Sequence, residues 1–122
     1  MNDFDKLKYQ VQDLTFALEQ LKKKNKNMLS FMSCERVKNQ IVLQKKVYIK
    51  GNNLYYEAIL IDGSNSTLSL YINDNLIDSV NGKILSGKAI VNSKMINIKL
   101  VAEGENLSNL MLKIEGEGLV IY

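Results

Sequence analysis

The residue types that usually catalyse reactions or bind metals are scarce in this chain. Among its 122 residues there is no histidine and one cysteine, Cys34. A thiol nucleophile is normally activated by a neighbouring base, and the chain has no imidazole for this role. The same composition excludes a Cys/His zinc site, a disulfide framework and any catalytic triad that uses histidine. We therefore expect a protein that is not an enzyme and that uses no cofactor.

Two polar segments have competing structural and functional interpretations. Asp62, Ser64, Ser66 and Asp74 could supply oxygen ligands to calcium, but the segment lacks the acidic run and the closing glutamate of an EF-hand. Four lysines between residues 22 and 26 would suit a nucleic acid, yet no aromatic or arginine is interleaved with them. Turn formation and solvated helix surface explain these segments better. We expect no metal site and no nucleic acid partner.

Tyrosine is the remaining residue type suited to recognition. Tyr48, Tyr55 and Tyr71 form the predicted binding face for a sugar or a protein, because aromatic rings with a polar tip are common in such surfaces. Packing in the core or at its rim is the alternative interpretation. Sugar sites usually also use tryptophan, which the chain lacks.

The elements that would position these residues begin with an apolar pattern in the N-terminal third. Its residues recur in alternating steps of three and four, which is the heptad spacing of a coiled coil. The pattern predicts a helix over residues 1–33, with an oligomerisation seam at Phe4, Leu7, Val11, Leu14, Leu18, Leu21, Asn25, Met28 and Met32. A seam of this kind must be covered by another surface. A parallel homo-oligomer is favoured, and packing against the chain's own β-domain is the alternative.

The sequence gives mixed signals on the number of chains in the oligomer. A buried asparagine such as Asn25 can favour a dimer and fixes the register of the helices. Leu29 and Phe31 widen the apolar face beyond a strict seam, which suits three strands or contact with the following domain. The prediction is a trimer in preference to a dimer.

From Ile41 onwards the apolar period changes from 3.5 to 2. Apolar and polar residues alternate at 68–72, 96–100 and 110–114, and segments rich in glycine, asparagine and aspartate separate the alternating runs. Asn81-Gly82 is the strongest two-residue hairpin signal. The sequence therefore predicts an all-β antiparallel sandwich, jelly-roll-like, over residues 41–122. Residues 34–40 form the junction between this domain and the coiled coil.

This layout of a heptad segment at residues 4–32 and a sandwich at residues 41–122 resembles the short trimeric fibre, spike and baseplate-type subunits of bacteriophage tails and phage-derived particles. The resemblance is one of architecture and includes no sequence motif. It implies a structural or attachment subunit that contacts other structural proteins of the particle and a cell-surface receptor. Such subunits are made in the cytoplasm without a signal peptide and end in the virion or particle, which is the expected localisation here.

Two other functions fit the same pattern. The chain could be a receptor- or glycan-binding module that uses its tyrosines, or an intracellular adaptor whose helix pairs with a different protein. No run of apolar residues is long enough to span a membrane, so we expect no membrane insertion.

Overall fold

The computed structural model describes residues 26–122, and these residues form strands and turns only. The strands run in the order β1 (Lys26–Ser33), β2 (Arg36–Val37), β3 (Gln40–Tyr48), β4 (Asn53–Ile61), β5 (Ser64–Ile72), β6 (Asn75–Asn81), β7 (Ile84–Ile90), β8 (Met95–Glu105), β9 (Asn109–Glu117) and β10 (Val120–Ile121). All their pairings are antiparallel. The prediction of an antiparallel β-sandwich is confirmed.

The strands form two sheets that pack face to face. Sheet A has the order β1-β9-β4-β7, and sheet B has the order β10-β3-β8-β5-β6, with β2 also paired to β3. When the eight strands other than β2 and β10 are numbered along the chain, the sheets read 1-8-3-6 and 2-7-4-5. This is the strand order of a jelly roll, in which two Greek keys interlock. The chain changes sheet at every connection except the β2–β3 and β5–β6 hairpins.

The alternation along each strand explains why the sandwich forms. In β9 the residues at 110, 112 and 114 are buried, whereas Lys113 and Glu115 between and after them are exposed. Successive side chains of a strand point to opposite faces, so this pattern buries one face of each sheet and leaves the other outside. The shared core includes Ile41, Leu43, Val47, Leu54, Leu68, Leu70, Ile98, Leu100, Leu110, Leu112 and Ile114.

The N-terminal coiled coil is the part of the predicted fold that is wrong. The heptad helix was expected to extend to residue 33, but residues 26–33 form β1, paired along its whole length with β9. Met28 and Met32 are therefore strand residues and not seam positions. The segment forms a strand and not a helix because Leu29 and Phe31, which are two residues apart and therefore on one face of a strand, both pack against the core of the sandwich. The other predicted seam residues, from Phe4 to Asn25, lie outside the described residues.

The two-residue hairpins lie at other places than the one that the sequence favours, at Lys38-Asn39 between β2 and β3 and at Asn73-Asp74 between β5 and β6. Asn73 and Asp74 connect β5 to β6 with positive φ values of 51° and 66°. Two consecutive positive φ values give the primed turn whose twist matches a tight hairpin, and asparagine and aspartate tolerate it better than most residues. Asn81 and Gly82 instead connect β6 in sheet B to β7 in sheet A. These two strands do not pair with each other, so the connection is not a hairpin.

Candidate functional site

The outer face of sheet A carries a continuous row of apolar side chains. Met32 on β1 is directly opposite Met111 on β9. Met111 is in turn opposite Ile59 on β4, and Ile59 is opposite Ile84 on β7. These four residues are called the apolar row below. Because neighbouring strands lie about 4.8 Å apart, the row crosses all four strands of the sheet over about 14 Å.

The ends of the apolar row are the most accessible. Met32 and Ile84 are each 62% exposed, whereas Met111 and Ile59 are half-buried. Ile61, two residues along β4 from Ile59, adds a further exposed side chain on the same face. Single exposed apolar residues are ordinary in proteins, but a contiguous group marks a surface that contacts another molecule. The row is therefore a candidate for a functional surface, and it crosses every strand of its sheet, whereas the exposed group of Val120, Tyr48 and Met95 on sheet B spans only three strands.

A polar row runs parallel to the apolar row on the same face. It is formed by Ser30 on β1, Lys113 on β9, Glu57 on β4 and Ser86 on β7. Lys113 and Glu57 are directly opposite each other, which is a favourable cross-strand arrangement of charges. The apolar row thus has a polar border on one side, as the core of a protein interface usually has.

The outer face of sheet B differs over β5, β6 and part of β3 and β8, because polar side chains there bond to one another. The hydroxyls of Ser69 and Ser79 lie 3.1 Å apart, and Thr67 donates a hydrogen bond of 3.2 Å to the amide oxygen of Asn81. Elsewhere on this face Gln40 donates to Glu103 and Gln44 donates to Asn97. A face whose polar groups are already paired offers fewer groups to a partner.

Between the sheets, one polar contact joins the two layers. The hydroxyl of Tyr56 on β4 donates a hydrogen bond of 2.8 Å to a carboxylate oxygen of Asp78 on β6. Burial of the phenol, the hydrogen bond to Asp78 and the negative charge of Asp78 raise the pKa of Tyr56 from 10.0 to about 12. Gly87 on β7 leaves space for the ring, since a Cβ at this position would lie 2.6 Å from the Tyr56 hydroxyl oxygen. The contact links β4 of sheet A to β6 of sheet B through a hydrogen bond between side chains.

A polar groove lies at one end of the sandwich, between the β2–β3 turn and the ends of β5 and β8. It has a volume of about 680 Å³ and is lined by Val37, Lys38, Asn39, Gln40, Asn65, Thr67, Glu103, Gly104 and Glu105. Lys38 and Asn65 have positive φ values of 59° and 51°. A left-handed conformation is uncommon for a residue such as lysine, and such residues often occur in functional loops. The amides and carboxylates of the groove match the hydrogen-bonding groups of a sugar.

The structure separates the predicted tyrosine face. Tyr55 lies on the outer side of β4 in sheet A, whereas Tyr48 and Tyr71 lie on β3 and β5 in sheet B. Tyr48 is opposite Met95 on β8, and Tyr71 is opposite Lys99 four residues further along that strand. The three rings therefore do not form one patch.

The remaining candidates occupy simple positions. Cys34 is exposed and free in the turn after β1. Met28 and Met32 are exposed on the outer face of β1. Within residues 26–122, His, Cys, Asp and Glu side chains form no group of three that could hold a metal ion. In the same residues there is no helix of the length and apolar character needed to cross a membrane.

The fold has counterparts among solved structures, although no family model and no curated protein matches the chain. It is similar to part of the secreted serine protease VesC from Vibrio cholerae, with a TM-score of 0.50 and 14% identity over 79% of this chain. The chain spans 21% of the VesC chain. It is also similar to FLHE, with a TM-score of 0.49 and 7% identity over 76% of this chain and 98% of that chain. At such identities the similarity to VesC supports the sandwich fold alone.

Sequence reasoning missed the apolar row altogether. Its members are far apart in the sequence and are brought together only by the pairing of β1, β9, β4 and β7. A weak signal existed, because Ile59 and Met111 are apolar between two buried apolar neighbours, and Met32 and Ile84 each adjoin one apolar residue that points inward. Such a residue breaks the alternation expected of a strand with one solvated face.

Proposed function

We propose that this chain is a non-enzymatic assembly and attachment module that binds neighbouring protein subunits through the outer face of sheet A. The apolar row is the observation that carries this proposal. The occupant is a protein surface with apolar side chains at its centre and charges complementary to Glu57 and Lys113 at its border. A subunit of a phage or phage-derived particle is the specific setting proposed, and it rests on the β-sandwich part of the architectural resemblance alone, because the coiled-coil part is not observed. No similarity to a known protein supports that setting.

The proposal is tested by fractionating the particles released from cells that naturally make the chain. An antibody against the chain should detect the wild type in the particle fraction. Ile84→Lys places a charge at an exposed end of the apolar row and should move the chain to the free fraction. Ser79→Lys, on the exposed outer face of sheet B, is the matched control and should stay with the particle.

Two outcomes would contradict parts of the proposal. A wild-type chain that is absent from the particle fraction would show that it is not a particle subunit. If Ile84→Lys and Ser79→Lys both remain with the particle, the apolar row is not the binding surface. Circular dichroism of each variant should match the wild type, because both substitutions lie at exposed positions where effects on stability are small.

The polar groove favours a second candidate function, binding of a sugar. Its amide and carboxylate side chains, including Asn39, Asn65 and Glu103, suit the hydroxyl groups of a carbohydrate. A glycan array should then give a signal that Asn65→Gly abolishes, because glycine removes the amide side chain and tolerates the positive φ. A blank array with the folded wild-type chain would reject this alternative.

A further inference from the structure

The strand β1 forms an open edge of sheet A. It pairs with β9 through an unbroken register from Lys26 to Ser33, and no other strand of the described residues lies on its far side. The backbone N–H and C=O groups of alternate residues along such an edge point away from the sheet. These groups can accept a further strand from another molecule.

The sequence of β1 lacks the features that usually protect an edge. Residues 27–33 contain no charge and no proline, and the pairing with β9 has no bulge. The other edges differ. β7 contains Gly87 and Lys88, and β6 contains Asp78 and meets β5 with a shift of register. The edge along β3 is covered in part by the short strands β2 and β10.

Residues 27–33 also read almost the same in both directions about Ser30. Met28 and Met32 lie two residues on either side of it, and Leu29 and Phe31 lie next to it. Met28, Ser30 and Met32 point outward, whereas Leu29 and Phe31 are half-buried on the core side. An antiparallel strand with the same sequence would therefore meet methionine with methionine and leucine with phenylalanine.

We propose that β1 pairs antiparallel with β1 of a second copy of this chain, about a two-fold axis at Ser30. The two four-stranded sheets A then become one sheet of eight strands, and the same patch of each copy forms the interface. Met28 faces the partner's Met32, Leu29 faces the partner's Phe31, and Ser30 faces the partner's Ser30. This inference rests on the proposed assembly function and names one partner, a second copy.

The pairing makes a contact that neither copy has alone. In the joined sheet the apolar row of one copy continues from its Met32 to the partner's Met28, so that the outer faces of the two copies become continuous. No charged residue lies between positions 27 and 33, and the central contact therefore brings no like charges together. Leu29 and Phe31, half-buried in one copy, gain cover from the partner.

The free cysteine distinguishes this arrangement from parallel helices. In a parallel coiled coil, copies of Cys34 would lie near one another. In the antiparallel pair, Cys34 directly follows the end of β1, four residues from the axis on each side, so an extended backbone would separate the two thiols by about 26 Å. They lie too far apart for a disulfide, which needs Cβ atoms about 4 Å apart.

Disulfide trapping of the full-length chain tests the register. In a Cys34→Ser background, Ser30→Cys should give a covalent dimer under mild oxidation, because directly opposite residues have Cβ atoms about 5 Å apart. Lys113→Cys in the same background is the matched control. It lies on the same face one strand further in, so that its two copies are about 14 Å apart. Wild-type chain, with Cys34 alone, is a second control.

The outcome is read on a non-reducing gel. Dimer formed by Ser30→Cys, and neither by Lys113→Cys nor by Cys34, supports the pairing. Equal dimer from Lys113→Cys would indicate random collisions, and efficient cross-linking through Cys34 would indicate a parallel arrangement. Either result overturns the proposal, as does failure of Ser30→Cys to cross-link at concentrations where the wild type is dimeric.

Light scattering after gel filtration gives an independent test. The wild type should have twice the 13.9 kDa mass of one chain. In a Lys113→Ser background, which removes the charge opposite Ser30 within one copy, Ser30→Lys places two ammonium groups opposite each other across the axis and should raise the dissociation constant at least about tenfold. Ser86→Lys, at the opposite end of the same polar row, should leave the mass unchanged. Circular dichroism verifies that both variants fold.

These results also separate this inference from the proposed function. A wild-type chain that is monomeric up to its solubility limit overturns the β1 pairing, whereas binding to particles through the apolar row can still be observed. A dimer that survives Ser30→Lys but dissociates with Ile84→Lys would place self-association on the face and not on the edge. Loss of particle binding in Ile84→Lys with an intact β1 dimer would support both proposals.

Discussion

The outer faces of the two sheets differ in how their exposed side chains are satisfied. On sheet B, serine, threonine, asparagine and glutamine side chains bond to their neighbours across the strands. On sheet A, four apolar side chains lie opposite one another with no covering layer in the described residues. Both faces belong to the same sandwich and lie over the same core. Burial of the shared core does not require apolar side chains on the outside of sheet A, and the proposed contact with another protein would explain them.

A cavity on the inner face should lower the free energy of unfolding by a similar amount in either sheet, because the contrast between the two sheets lies in their outer faces. Leu100 on β8 and Leu112 on β9 are both fully buried, one in each sheet. Each Leu→Ala substitution is expected to lower the free energy of unfolding by about 2–5 kcal/mol. Urea denaturation measures both. A cost below about 1 kcal/mol for one of them would show that its sheet packs loosely, and the comparison of the faces would then need another basis.

The contact between Tyr56 and Asp78 should contribute less. Tyr56→Phe removes the hydrogen bond that joins the two layers and is expected to cost about 1–2 kcal/mol. Thermal and urea unfolding at neutral pH provide the measurement. Tyr48→Phe, at an exposed position on the outer face of β3, is the control. If the two variants are equally stable, the buried contact contributes nothing beyond ring packing.

The same contact predicts a dependence on alkaline pH. The pKa of Tyr56 is about 12 in the folded chain, above the 10.0 of an unperturbed tyrosine, because burial and Asp78 favour the neutral phenol. Its stabilising contribution is therefore fully present below pH 10 and is lost as the pH rises from 10 towards 12. Tyr56→Phe should flatten this part of the stability profile. An unchanged profile would assign the alkaline loss to other groups.

The hydrogen-bonded side chains of sheet B are expected to give the smallest effect. A double-mutant cycle of Ser69→Ala and Ser79→Ala should show a coupling energy of about 0.2–1 kcal/mol, as is usual for opposite side chains on a sheet. Ser69 and Ser86 lie on the outer faces of different sheets, so the same cycle with Ser86→Ala should give no coupling. Coupling in both cycles would indicate a global effect of the substitutions and would weaken the contrast between the faces.

Local alternation was sufficient to predict most strands of the sandwich. The runs at 68–72, 96–100 and 110–114 lie within β5, β8 and β9, because one buried face imposes a period of two on each strand. The segment at 26–33 was misassigned because Met28 and Met32 also fit a heptad. Its apolar side chains point to both faces of β1, and the choice between helix and strand depends on β9, about 80 residues later in the chain.

The candidate site was not predictable for a related reason. Register decides which side chains are neighbours across strands, and register is a property of pairs of strands distant in the sequence. The sequence suggests that Tyr48, Tyr55 and Tyr71 are accessible. It does not show that Tyr55 lies in one sheet, on β4, and the other two tyrosines lie in the other sheet, on β3 and β5. In the same way, the four residues of the apolar row become neighbours only when β1, β9, β4 and β7 pair in this order and register.

The pairing of β1 with β9 has a consequence for the synthesis of the protein. Lys26 lies opposite Glu117, so the first strand of the sandwich finds its place only when the last long strand has left the ribosome. During most of translation residues 27–33 are an uncharged segment without their partner strand, and loop closure over such a distance is slow. If β1 pairs with itself as proposed, polysomes that carry several nascent copies would hold such strands close together before any copy has completed its own sandwich.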